Sequence, residues 1–301
     1  MSVDKAVSLW SPAVISDRRG LRAHCRGRGI GYMPRERIAP FYFGAPGRPL
    51  FGCYHASQSE PYRDCGVVLC HPLGDESIRF HRAYRQLAIR LSHVGFPVLR
   101  FDLYGCGDSS GDSEEITVQQ WLTDVATAVE EIRRRSGLVR ICLVGLRLGG
   151  TLSMIVGSGR GDIDGMVLWD PVVSGKACVE ELQLLHREML RRVHTHQKPR
   201  ADEQHVEILG FPLTKGLLQD LESIDLSTIQ QKPANHLLVI ESQEKARERR
   251  LAEQLQQLDA HVTYRHLPCP QFWIWREDLG EALVPHQVLQ AVVAWLAEVY
   301  A

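Results

Sequence analysis

The sequence holds no apolar run that reaches the roughly 20 residues needed to span a bilayer. Its first 40 residues lack the charged-then-apolar pattern of a secretory signal. A cytoplasmic location is therefore the expectation. Charge of neither sign is in excess: 35 Lys and Arg stand against 36 Asp and Glu, so nucleic acid or another polyanion is not an expected partner. The eight cysteines include no Cys-x-x-Cys spacing, which favours free thiols in a reducing compartment over a disulfide framework. No group of His, Cys or carboxylate residues has metal-ligand spacing. Neither a metal nor a cofactor is expected.

What is present reads as an ordinary globular protein, 44% hydrophobic and 24% charged, long enough at 301 residues for one large α/β domain or two smaller ones. Residues 1–38 are rich in Arg and Gly with weak periodicity and read as a loosely held arm. From Pro40 the texture changes. "FYFG" and "RPLFGCYHAS" read as two strands joined at Ala45-Pro46-Gly47. Near-continuously apolar runs then alternate with helical spacing: "CGVVLCHP", "FPVLRFDLYG", "VRICLVG", "DGMVLWDP", "HLLVIES" and "HVTYRHLP". That rhythm predicts a mostly parallel central sheet covered by helices on both faces. The alternation breaks over 174–230, which reads as a largely helical insertion over the C-terminal ends of the strands. The core is then 39–173 with 231–301.

Function turns on "VRICLVGLRLGGTLSMI". A buried strand runs into Gly145-Leu146-Arg147-Leu148-Gly149-Gly150 and then into a helix. The glycine frame is that of a G-x-S-x-G nucleophile elbow, a sharp strand-to-helix turn that presents one side chain above a sheet. Arginine stands at the nucleophile position. The same glycines lack the order and the downstream acid of a dinucleotide fingerprint.

Taken together, "FYFGAPGRPLFGCYH", "FDLYGCGDSSGD", "GLRLGG" and "LWDPVVSGK" resemble the α/β-hydrolase superfamily. More narrowly, they resemble the hydrolase-like proteins associated with exosortase A systems. The resemblance implies an α/β-hydrolase fold with a helical cap after the sixth strand, and a pocket at the strand ends. The Leu73 and Leu148 amides then become the candidate oxyanion hole, beside His71 at the end of its strand. The acid of the fold falls at Asp170, or in "ESQE", which holds Glu241 and Glu244. The histidine base is expected in "PCPQFWIWREDLGEALVPHQ", where Gln271, Phe272 and Trp273 follow the strand and His286 comes late.

Arginine stays protonated at physiological pH and has no lone pair with which to attack. A cation at a helix N-terminus is disfavoured by about 0.3–1 kcal/mol, and a buried guanidinium needs an anion. Arg147 is therefore expected to hold a carboxylate, Asp170 or Glu244, or to serve as an anion-binding residue for substrate. Cys106 is a candidate thiol, activated if a guanidinium lies beside it. Ser109 and Ser110 read as turn residues. Trp169, Phe272, Trp273 and Trp275 suggest an apolar or acyl-like ligand.

Three functions follow. The first is an enzyme without a serine nucleophile, acting on an acyl, ester-like or carboxylate-bearing small molecule with Arg147 as its anion site. The second is a non-catalytic binding or accessory protein in a biosynthetic or exopolysaccharide pathway. The third is an ordinary esterase or thioesterase whose nucleophile lies elsewhere. The sequence does not fix an oligomeric state.

Overall fold

Eight strands form one sheet in the order β1-β2-β4-β3-β5-β6-β9-β10. The structure, a computed structural model, describes residues 38–193, 205–243, 247–270 and 284–301. The N-terminal arm expected over 1–38 therefore falls almost entirely outside the described residues.

β1 (Ile38–Ala45) and β2 (Arg48–His55) make an antiparallel hairpin, and β2 pairs antiparallel with β4 (Val98–Phe101). From β4 onward every neighbour is parallel: β3 (Cys65–Cys70), β5 (Arg140–Leu146), β6 (Gly165–Trp169), β9 (His236–Glu241) and β10 (His261–His266). β3, β4 and β6 are buried along their whole length, which is why they read as unbroken apolar runs rather than alternating ones.

The sheet separates two apolar layers. α1 (Asp75–His93) and α7 (His286–Val299) pack Leu87, Leu91, Leu289 and Trp295 on one face. α2 (Val118–Ser136), α3 (Leu148–Arg160) and α6 (Arg247–Gln257) bury Trp121, Val125, Leu152 and Leu255 on the other. The chain leaves β3 for α1 on the first face but leaves β4 and β5 for α2 and α3 on the second. Such a reversal opens a crevice beyond the carboxyl ends of β3 and its neighbours, where ligands of open α/β sheets bind.

Between β6 and β9 the chain builds α4 (Gly175–Val193), the antiparallel pair β7 (His205–Ile208) and β8 (Phe211–Thr214), and α5 (Lys215–Glu222). The insertion is largely helical, with the short hairpin falling in the stretch of mixed pattern. "VEILGFPLT" alternates too briefly to separate from a mixed helical pattern by eye. Backbone bonds from Gly175 to Ile224 and from Leu226 to Val173 close the base of the insertion. Phe211 lies against Gly74 just past β3, and α4 reaches the turn after β5. Among the described residues no helix is long and apolar enough to cross a membrane.

Candidate functional site

The turn from β5 to α3 is held by close backbone approach. A methyl group on Gly145 would lie 2.3 Å from the Gly150 nitrogen, and one on Gly149 would lie 2.2 Å from the Cys70 oxygen. Neither neighbour can yield, so glycine is required at both places. Arg147 caps α3 with φ 53° and ψ −124°, a left-handed backbone that a side chain adopts only when its surroundings impose it. Its amide donates to the Trp169 carbonyl (2.9 Å), tying the turn to β6.

Tyr84 of α1 fixes the other side. Its hydroxyl accepts the Leu146 N–H (2.9 Å) and donates to the Cys70 carbonyl (2.9 Å), bridging the ends of β5 and β3. The His71 ring packs edge-on against it at 4.8 Å. Nothing in the sequence marked Tyr84 apart from its place on the apolar face of α1.

The guanidinium of Arg147 is enclosed by two carboxylates. Nε donates to Glu76 Oε1 (3.1 Å) and Nη2 to Glu181 Oε2 (2.9 Å). Side-chain exposure is 9% for Arg147, 15% for Glu76 and 29% for Glu181. Burial opposes the guanidinium's charge, but Glu76 foremost, and Glu181 with it, outweigh that effect and hold it protonated. Burial raises the Glu76 carboxyl above its usual range, with Arg147 pulling against the rise. Glu76 sits in the first turn of α1, where the helix dipole favours an anion. One cation thus joins α1, the β5–α3 turn and α4.

Neither carboxylate is the Asp170 expected from the sequence. Asp170 Oδ1 instead accepts the Ser242 amide (2.8 Å), bracing β6 against the segment after β9. Glu244 lies outside the described residues, as do Gln271, Phe272, Trp273 and Trp275. Glu241 bonds the Tyr264 hydroxyl. Trp169 is 1% exposed, packed edge-on against Phe80 with its indole N–H on Ser242 Oγ (2.8 Å). It is a core residue. His286 is exposed at the start of α7 with Nδ1 beside Arg90 of α1. Arg90 lies fifteen residues beyond Asp75 at the head of α1, about 22 Å along the helix axis. This histidine therefore does not reach the elbow.

Beside the clamp, at the ends of β3 and β4, lies a cavity of about 550 Å³. Leu73, Leu103, Ile116, Phe211 and Leu213 give it apolar walls; His71, Ser77, His81, Asp102, Cys106 and Asp108 supply polar groups. Arg147 and Leu148 do not line it; Leu148 is buried in the core. Of the two candidate oxyanion donors, only Leu73 borders the space. Burial, with Arg100 and His81 behind it, lowers His71 to about 3 and keeps the ring neutral. Ser77 Oγ stands 3.5 Å from His71 Nδ1. Burial pushes the Cys106 thiol up to about 12, and Asp102 and Asp124 add to the rise. The expected activation of Cys106 by a guanidinium is therefore absent. Ser109 serves the turn, its hydroxyl donating to the Asp102 carbonyl (2.6 Å).

A parallel sheet flanked by helices, an insertion over the strand ends and a glycine-framed strand-to-helix turn define an α/β-hydrolase fold. Solved structures agree. Est1E from Butyrivibrio proteoclasticus with ferulic acid bound matches at TM-score 0.63 and 16% identity, over 86% of this chain and 98% of its own. A thermostable carboxyl esterase from Bacillus coagulans in complex with glycerol matches at 0.61 and 13%, over 88% and 99%. The Pyrococcus furiosus esterase PF2001 matches at 0.59 and 15%, over 91% and 97%. At such identities the likeness is one of fold. The chain belongs to the serine aminopeptidase S33 family of hydrolases, whose model matches residues 63–268. No curated protein matches the sequence.

Proposed function

We propose that this chain is a hydrolase-fold binding protein that does not cleave substrate through its elbow. Arg147 holds the nucleophile's place and works as a latch, tying α4 to the strand ends. The adjoining cavity takes a small apolar molecule. The observation that carries this reading is the enclosure of the Arg147 guanidinium by Glu76 and Glu181. An anion site there needs a ligand that displaces two carboxylates from a buried cation. Truncating such a pair costs several kcal/mol, and a monovalent ligand starts with no advantage over them. The chemistry around the latch supports the same reading. His71, which lines the cavity, resists protonation, which makes it a poor general base at neutral pH. A place beside exosortase A systems rests on the motif resemblance.

The test is labelling with a fluorophosphonate probe followed by intact mass. The expected result is no adduct on the wild-type chain under conditions that label a serine esterase fully. An adduct on any serine, Ser77 included, contradicts the reading and restores an ordinary esterase.

A further inference from the structure

The charge inside the cavity is one-sided. Among the described residues its wall has two carboxylates, Asp102 and Asp108, and no lysine or arginine. Asp102 is half-buried, its Oδ2 accepting the Asp108 amide (3.1 Å), while Asp108 is exposed. The two histidines do not offset them. His71 is lowered to about 3 by burial, and His81 is lowered by burial and by Arg100, against the pull of Asp102.

Arg100, a buried cation, bonds a residue of the wall without lining the cavity itself. Its Nε donates to His55 Nε2 (3.2 Å) and its Nη1 lies 3.5 Å from His81 Nε2. A guanidinium is a donor only, so His81 Nε2 accepts and the ring proton sits on Nδ1. Arg100 thereby fixes the His81 tautomer and keeps the ring neutral; its N–H groups are turned to the two histidines and it does not line the cavity. Leu73, Leu103, Ile116, Phe211 and Leu213 supply the apolar part of the wall. Such a cavity favours a molecule with an apolar body and a head that donates hydrogen bonds or carries positive charge. Burial raises the Asp102 carboxyl, with the Asp108 amide, His81 and Arg100 pulling against the rise; a carboxylate head would still meet the Asp102 and Asp108 carboxyls in a partly desolvated space, where like charges repel.

We propose that the cavity binds an apolar amine, takes the matching alcohol more weakly, and discriminates against the matching carboxylate. This rests on the reading above, in which the cavity is the ligand site. It goes against the acyl or anionic ligand that the sequence suggested.

The test is calorimetric titration of the full chain at pH 7 with octylamine, 1-octanol and octanoate, which share a chain and differ in the head. The expected result is saturable binding of octylamine at least tenfold tighter than octanoate, with octanol between. Asp108→Asn, at an exposed position, is expected to weaken octylamine several-fold more than it weakens octanol. Octanoate binding as tightly as octylamine overturns the proposal, as does an octylamine affinity indifferent to Asp108→Asn, or the absence of saturable binding. If octanoate binds best and Arg147→Ala abolishes it, the latch reading falls as well. If octanoate binds best whatever stands at 147, only the head-group assignment falls.

Discussion

Replacing Arg147 by Met is expected to lower the stability of the folded chain by about 3–5 kcal/mol at pH 7, the cost of stranding a buried carboxylate. The carboxylate is that of Glu76, at 15% exposure; Glu181, at 29%, can turn toward water. The effect depends on pH with a definite sign. The folded Glu76 carboxyl lies above its ordinary value because of burial, and Arg147 moderates that rise. With the arginine gone the rise is larger. The contribution of a protonated Glu76 is then fully present below the usual carboxylate range and is lost as pH climbs through the raised value. Arg147→Met is therefore expected to be milder at pH 4 than at pH 8. Adding Glu76→Met should recover most of the loss, since an apolar replacement of a whole buried ionic group is often neutral or better. The coupling between the two sites should exceed about 1 kcal/mol. Urea denaturation of the four species at both pH values reads all of this. A loss below about 1 kcal/mol, unchanged with pH, would mean that the carboxylates do not depend on Arg147.

The second large effect belongs to the glycine frame. Gly149→Ala is expected to destabilise by about 3 kcal/mol or more, because the new methyl would sit 2.2 Å from the Cys70 oxygen and 2.7 Å from the His71 oxygen. Both contacts are backbone, so relief requires α3 to move away from the end of β3. Gly159→Ala on the same helix is the control with the opposite sign. It is exposed, with nothing within 4 Å of the added methyl. There the substitution should stabilise by about 0.4–1 kcal/mol by restricting the unfolded chain. Thermal melts of the two variants, one falling and one rising, separate close approach from helix propensity. Equal shifts of either sign would contradict the frame described here.

The fold was legible because its strands are buried on both faces, so β3, β5, β6 and β9 each stand out as an apolar run at spacing suited to crossover helices. The elbow was legible for a local reason: its glycines, strand and helix lie within one short stretch. The partners of Arg147 were not. That it needs a carboxylate follows from the residue itself, but Glu76 lies 71 positions before it and Glu181 34 after. Nothing local ranks them above Asp170, which stands at the end of the neighbouring strand. Glu181 also reads as one more acid on an amphipathic helix until α4 is laid over the strand ends. Tyr84 was hidden differently, as an aromatic on an apolar stripe whose hydroxyl matters only once β3 and β5 are side by side. The one-sided charge of the cavity was equally unreadable, since its two acids and two neutral histidines come from loops and helices on both sides of β4.

The central claim is that Arg147 latches α4 onto the strand ends rather than serving chemistry or anion binding. Hydrogen exchange resolved by segment, on the wild type and on Arg147→Met, tests it most directly. The latch predicts that amides of α4, and of the β7–β8 hairpin that follows, exchange at least tenfold faster in the variant, while those of β6 and β9 change far less. Unchanged exchange in α4, or an equal acceleration through the whole sheet, would contradict it.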